Sequence, residues 1–276
     1  MTVELHHEVH GSGPPIVLLH GFPETHVCWK AVADHLADAF TVVCPDLRGY
    51  GDSPLRTGDL SKRTMATDVV ALMSALGHER FAIAGHDRGG LVGQRLALDH
   101  PDAVTHLTVL DIVPVLDMWS ALTADGALGA YHLFFLAQPA DLPERLIAAA
   151  PEAFADSFLD GWTTVDGAID DTARATYHRA IARPDAIADL CDDYRAGATI
   201  DLAHDREARE AGRRITAPVQ VLWQAPGGSP PPFDPLEIWG RWADDVEGQG
   251  LDCGHFLPEE RPAEVADAIR RAALSG

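Results

Sequence analysis

Phe81-Ala82-Ile83-Ala84-Gly85-His86-Asp87-Arg88-Gly89-Gly90 is the stretch on which the fold turns. A short apolar run passes directly into Gly-x-Asp-x-Gly and then into a helix-like segment over 88–99. Small residues around position 87 permit a tight strand-to-helix turn that lifts the Asp87 side chain above the strand end. The same grammar recurs outward from this point. Ile16–Leu19 ends at His20-Gly21-Phe22-Pro23, Thr41–Cys44 at Pro45-Asp46, and Leu107–Leu110 at Asp111; Pro218–Trp223 is a further run. Runs that are apolar throughout suit strands covered on both faces, as in a parallel sheet. Helix-like segments over about 24–38, 62–76, 88–99 and 262–274 lie between or after them, the last opening on Pro262 as a first-turn proline. The alternation predicts an α/β architecture with a mostly parallel central sheet of seven or eight strands.

One stretch departs from the alternation. From Pro114 to Arg214 the chain shows only an Ala-rich helical pattern, interrupted by Pro139, Pro143, Pro151 and Pro184. The expected organisation is therefore a core over 1–113, a helical cap over 114–214 and the rest of the core over 215–276. The cap would lie over the carboxyl edge of the sheet, where binding sites of open α/β sheets form.

Charge narrows the function. Lys+Arg is 21 against Asp+Glu 42, a formal net charge of −21, and Lys30 and Lys62 are the only lysines. Phosphate backbones are bound by neutralising them with Lys and Arg, so a nucleic-acid partner is excluded as a general role. Anionic membrane surfaces are disfavoured on the same ground, and no apolar run approaches the ~18 residues of a membrane span. Met1–His10 lacks the pattern of a signal peptide, and Cys28, Cys44, Cys191 and Cys253 are scattered, which reads as reduced thiols in a cytoplasmic protein. His6, His7 and His10 cluster, but a strand splits them between two faces and no carboxylate or Cys motif completes a metal site; no metal is expected.

The chemistry centres on Asp87. A carboxylate attacking a saturated carbon that bears a leaving group gives a stable alkyl ester, which water then hydrolyses. Halides and strained epoxides are the natural electrophiles. Gly254-His255-Phe256 follows the last expected strand and offers a general base in His255, whose neutral imidazole suits deprotonation of water. Asp111, at the end of the Leu107–Leu110 run, is the expected orienting acid, with Asp234 a distant reserve. Trp223–Gly227, after the next strand, offers no carboxylate. The backbone N–H groups of Phe22 and Arg88 are the expected oxyanion donors. His20 and the Pro45–Ser53 segment read as structural.

Five segments together carry a resemblance. His20–Trp29, Gly85–Gly89, Tyr131-His132 with Phe135–Pro139, Asp193–Gly197 and Gly254–Glu260 resemble the fluoroacetate (haloacetate) dehalogenases of the α/β-hydrolase superfamily, over about residues 11–262. The resemblance implies Asp87 as nucleophile, His255 as base, Asp111 as orienting acid, a homodimer and no cofactor. It further implies a carboxylate clamp at Arg88 and a halide cradle including His132 and Tyr194. Two substrate-binding positions depart from it. Leu91 stands where the family has a second clamping Arg, and Leu133 where it has a Trp that donates to the halide. Relatives of this kind also begin with an extra strand, for which Met1 leaves little room; Val3–Val9 is then the edge of a seven-stranded sheet.

On the sequence alone, the leading reading is hydrolytic dehalogenation of small haloalkanoic acids, with chloride or bromide favoured over fluoride. The alternative is hydrolysis of a neutral epoxide by the same triad, with Tyr194 or His132 polarising the epoxide oxygen. A non-catalytic ligand-binding homologue is a minor third.

Overall fold

The computed structural model describes residues 4–53, 58–183, 185–229 and 231–274. Its strands are β1 (His7–Gly11), β2 (Pro15–Leu19), β3 (Thr41–Pro45), β4 (Phe81–His86), β5 (Val104–Leu110), β6 (Val219–Gln224) and β7 (Val246–Leu251). They form one seven-stranded sheet in the order β1-β3-β2-β4-β5-β6-β7, parallel except for β1, which runs antiparallel to β3 at the edge. The expected edge segment Val3–Val9 is thus shifted: the strand begins at His7, and Val3 lies outside the described residues. Polar alternation in an edge strand leaves its register to the partner strand, here Glu8 opposite Cys44, rather than to its own pattern. Pro184 and Pro230 also lie outside the described residues.

Alternate residues of the central strands serve two separate cores. Val17, Leu19, Val43, Ile83, Val109 and Val221 face one side, packed under α2 (Lys62–Ala75) and α3 (Arg88–Asp99). Ile16, Leu18, Val42, Ala84, Leu110 and Leu222 face the other, under α1 (Lys30–Leu36) and the C-terminal helix Pro262–Leu274. Burial on both faces is why these runs are apolar at every position. The segment expected as one helix over 24–38 divides into a 3-10 turn, His26–Trp29, and α1.

Between β5 and β6 the chain is helical: α4 (Val115–Ala121), α5 (Ala124–Gly129), α6 (Tyr131–Leu136), α7 (Leu142–Ala148), α8 (Pro151–Trp162), α9 (Asp171–Ile181), α10 (Ala186–Ala198) and α11 (Ile200–Glu210). Leu133, Leu136, Ile147, Phe158 and Tyr194 from these helices join the core cluster that contains Phe22, so the helical region is packed onto the sheet's carboxyl end. Helices α12 (Pro235–Trp239), α13 (Leu257–Glu260) and α14 (Pro262–Leu274) complete the chain. Among the described residues no helix is long and apolar enough to cross a membrane.

β2 and β4 are neighbours, although the chain visits β3 on the far side of β2 between them. This reversal is the switch point at which open α/β sheets leave a crevice for a ligand. Phe22 follows β2 and Asp87 follows β4, so both stand at that crevice.

Candidate active site

Asp87 holds a backbone conformation that few L-residues adopt, φ 45° and ψ −115°, at the entrance to α3. The turn survives because its neighbours have no side chains. A Cβ on Gly89 would lie 2.2 Å from the Leu19 carbonyl oxygen, and one on Gly21 would lie 2.6 Å from the Asp87 Cβ. Asp87 occupies the N-cap position, yet its carboxylate makes no capping bond. Oδ2 instead accepts the Phe22 N–H at 3.0 Å, a bond between the ends of β2 and β4. The carboxylate is therefore held for use above the sheet rather than consumed by the helix. Burial raises its pKa, but His255, Arg88, His86 and the Phe22 N–H outweigh that and hold it below the usual carboxylate range. Arg88 is the first residue of α3, so its N–H belongs to the helix turn whose amides lack intrahelical acceptors.

Asp111 and His255 meet across the sheet. His255 Nδ1 lies 2.6 Å from Asp111 Oδ2. The Gln224 N–H and side-chain amide donate to the two oxygens of Asp111 at 3.0 and 2.7 Å, which fixes the carboxylate. With Nδ1 donating to Asp111, Nε2 carries the imidazole lone pair, and that atom is buried with no protein partner. The His255 backbone is anchored as well: its N–H donates to the Trp162 carbonyl at 2.9 Å. Asp234 is far from any such role, since its side chain caps α12 through the N–H groups of Leu236 and Glu237.

The helices between β5 and β6 bring two neutral donors toward Asp87. His132 sits in an aromatic nest, its ring centroid 5.0 Å from Trp162, 5.6 Å from Phe158 and 5.9 Å from Tyr194. Desolvation lowers its pKa to about 4 even against the Asp87 charge, so it is neutral at physiological pH, and its Nδ1 is buried without a partner. Burial and the Asp87 charge push the Tyr194 hydroxyl well above its ordinary pKa, so it keeps its proton. Leu91 is buried in α3, and Leu133 packs with Phe22 and Tyr194 in the core cluster.

Arg88 is placed differently from a free clamp. Its Nε and Nη2 donate to the two carboxylate oxygens of Asp193 at 2.8 and 2.9 Å, and Nη2 also reaches the Asp193 carbonyl at 3.0 Å. The guanidinium lies 4.3 Å over the Tyr194 ring. Asp193 additionally accepts from Lys62 Nζ and, at 2.7 Å, from the Tyr50 hydroxyl, while Lys62 Nζ lies 3.7 Å from Asp201. Two cations and two carboxylates thus close a buried, locally neutral cluster joining α2 and α3 to α10 and α11.

Several supporting residues escaped the sequence reading. Asp193 was visible only as part of a motif, with Tyr194 taken as its working member. Trp162 has no motif at all, yet its ring packs 4.9 Å from His255. Behind His255, His86 Nε2 donates to the His255 carbonyl at 2.8 Å and Nδ1 pairs with Glu24 Oε2 at 2.7 Å; Glu24 Oε2 also accepts the Gly21 N–H at 3.1 Å. Burial lowers the His86 pKa, but the Glu24 charge and hydrogen bond reverse that and raise it to about 9. Glu259 accepts from the Tyr177 hydroxyl of α9 at 3.0 Å, and burial, with the Glu24 charge, pushes its carboxyl well above the usual range. Glu260 accepts the N–H groups of Gly254, Phe256, Thr164 and Val165, tying the His255 loop to the segment between α8 and α9. The signal for all four acids was weak: in a chain with 42 acidic residues, nothing local separates a buried carboxylate from a solvated one.

The chain is similar to several known proteins. A family model described as alpha/beta hydrolase fold matches residues 14–262. A fluoroacetate dehalogenase from Burkholderia sp is 41% identical over 95% of this chain and 88% of its own length. A soluble epoxide hydrolase from Corynebacterium sp. is 36% identical over 95% of this chain and 91% of its own. Among solved structures, a candidate epoxide hydrolase from Pseudomonas aeruginosa superposes with a TM-score of 0.92 at 46% identity, covering 98% of this chain and 93% of that one. Sequence pattern, sheet topology and these matches lead to one assignment: the chain is a hydrolase of the α/β-hydrolase fold family.

Proposed function

We propose that this hydrolase opens small neutral epoxides through a covalent ester on Asp87. The observation that carries the reading is the Asp193–Arg88 pair, which spends the guanidinium's Nε and Nη2 on an internal carboxylate. With Leu91 in place of a second cation, the crevice offers little positive charge to hold a substrate carboxylate. A neutral substrate needs none.

The steps follow from the geometry. Asp87 Oδ2 is bound to the Phe22 N–H, which leaves Oδ1 to attack an epoxide carbon. As the new C–O bond forms, the ring C–O bond breaks, and the departing oxygen takes a proton from the Tyr194 hydroxyl, with the His132 N–H as the neighbouring donor. His255 Nε2 then removes a proton from water, and the resulting hydroxide attacks the ester carbonyl carbon of Asp87. Asp111 stabilises the imidazolium that forms. The oxyanion is received by the Phe22 N–H, already aligned on Oδ2, together with the Arg88 N–H. Collapse of the tetrahedral intermediate releases the diol and regenerates the Asp87 carboxylate. The proton on His255 returns to the tyrosinate through solvent.

Dehalogenation of small haloalkanoic acids is the second reading. It shares the Asp87 attack, uses His132 and Tyr194 as halide donors, and draws support from the fluoroacetate dehalogenase likeness. The two are separated by trapping. His255→Ala is incubated with styrene oxide, 2-halopropionates and haloacetates, and the intact mass is read, with Asp87→Asn as the blank. The epoxide reading expects an adduct of the epoxide's mass and none from the haloacids. Adducts with halide release from the haloacids alone reverse the order of the two readings. No adduct with any compound overturns both and favours a binding role without turnover. The four cysteines are buried and free, which fits the expected reducing, cytoplasmic compartment.

A further inference from the structure

Gln224 stands at the end of β6, in the stretch Trp223–Gly227 that offers no carboxylate of its own. What it offers instead is a pair of donors. Its backbone N–H reaches Asp111 Oδ1 at 3.0 Å, and its side-chain Nε2 reaches Oδ2 at 2.7 Å. Only the nitrogen of the amide suits that place, since the amide oxygen would face a carboxylate. Asp111 Oδ2 thus accepts from Gln224 on one side and lies 2.6 Å from His255 Nδ1 on the other. Among the described residues, Gln224 and His255 supply every hydrogen bond that this carboxylate accepts.

The backbone beneath the carboxylate is held by β6 as well. Asp111 has φ 51°, in the left-handed region that a non-glycine residue keeps only when its surroundings enforce it. Its N–H donates to the Leu222 carbonyl at 2.8 Å, one step beyond the register in which Leu110 faces Leu222. Gln224 in turn is paired with Leu251 of β7, and the Ala225 N–H donates to the Leu251 carbonyl at 2.7 Å. The amide therefore projects from a strand fixed on both sides. The carboxylate can turn about its Cβ–Cγ bond only by breaking both Gln224 bonds, and turning it would withdraw Oδ2 from the imidazole.

We propose that Gln224 is a positioning residue for ester hydrolysis, its amide holding the Asp111 carboxylate in the orientation that keeps the His255 ring in place. The inference rests on the reading of Asp87 as nucleophile and His255 as base. Gln224 touches no reacting atom and acts through Asp111. Attack by Asp87 comes before His255 is needed, so the two chemical steps respond differently to loss of the amide. Alkylation draws on Asp87, Tyr194 and the Phe22 N–H, whereas hydrolysis draws on the row Gln224–Asp111–His255. Errors of placement in such a row are costly, about 100-fold in rate for ~1 Å.

Two variants of the full chain test this. Gln224→Met keeps the side-chain length and removes the amide; Gln224→Glu keeps the length and sets a second carboxylate against Asp111. Rapid-quench kinetics with styrene oxide separate the two steps, and intact mass counts the ester. Alkylation should stay within about twofold of wild type in both, while ester hydrolysis slows about 10- to 100-fold in Gln224→Met and at least as much in Gln224→Glu, so that the alkylated chain accumulates. A readout free of turnover is the downfield proton resonance of the short His255 Nδ1–H bond, identified by its loss in His255→Ala. It should broaden into exchange with water in Gln224→Met. Equal slowing of both steps, or unchanged hydrolysis, overturns the proposal, as does a resonance that Gln224→Met leaves unaltered. If neither epoxide nor haloacid alkylates the wild type, the Asp87 reading fails, and the resonance alone decides whether Gln224 fixes the Asp111–His255 pair.

Discussion

Asp193→Asn tests the reasoning about charge most directly, because it alters one charge at nearly constant shape. In the native cluster the Asp193 carboxylate is fully buried and accepts from Arg88, Lys62 and Tyr50. The asparagine keeps the volume but removes the carboxylate charge that Arg88 and Lys62 share, leaving Asp201 beside Lys62. Breaking a buried ion pair on one side costs about 3–5 kcal/mol. At about 2–4 °C per kcal/mol for a chain of this size, Tm should fall by roughly 10 °C. A second effect follows from the freed guanidinium. One charge-assisted hydrogen bond to a substrate carboxylate is worth about 1.5–3 kcal/mol, or roughly 10- to 100-fold in kcat/KM. Steady-state rates on chloroacetate and on styrene oxide, measured well below the new Tm, should show the ratio moving toward the acid by that factor. If Tm falls while the ratio stays constant, the Asp193 pair only fastens α10 to α3 and Arg88 does not govern substrate charge. If neither moves, the cluster does not have the energetics argued for it.

Three further outcomes follow from the same geometry. Tyr194→Phe should lower kcat on epoxides by about 100-fold or more with little change in KM, whereas His132→Phe should cost less, since proton transfer to a reacting oxygen contributes about that much; equal losses in stopped-flow alkylation rates would assign the proton to neither alone. Gly89→Ala should abolish soluble folded protein, because its Cβ would meet the Leu19 carbonyl oxygen at 2.2 Å, while Gly161→Ala, with open space in α8, should raise stability by about 0.5–1 kcal/mol in chemical denaturation. Stability should also titrate on both sides of neutrality. The His132 and His106 pKa values are lowered to about 4, so the unfolded chain binds more protons below 6.5 and stability falls as pH drops from there toward 4. His86 is raised to about 9, so its contribution is complete below 6.5 and is lost as pH rises through 9. Tm-versus-pH curves for His132→Phe and Glu24→Gln should flatten the acid and alkaline sides respectively.

The sequence by itself determined the central strands, though not the edge strands β1 and β7. Ile16–Leu19, Phe81–Ala84 and Leu107–Leu110 are apolar at every position because alternate residues feed two different cores, and that pattern is local. Likewise α3 and the C-terminal helix match the expected segments 88–99 and 262–274, since an elbow turn and a first-turn proline mark where they start. Asp87, Asp111 and His255 were legible because each terminates or follows a strand, and a parallel sheet gathers its strand ends on one edge. Their mutual bonds needed the fold: Asp111 and His255 are 144 positions apart and 2.6 Å from each other.

What only the tertiary structure decided was the disposition of charge. Arg88 reads in the sequence as a free cation beside the nucleophile, but Asp193, 105 positions later, occupies it. Coulomb interactions act through space and depend on burial, and neither quantity is written in a residue's neighbours along the chain. Backbone periodicity is a local property and survives in one dimension; the partner of a charge is a three-dimensional one.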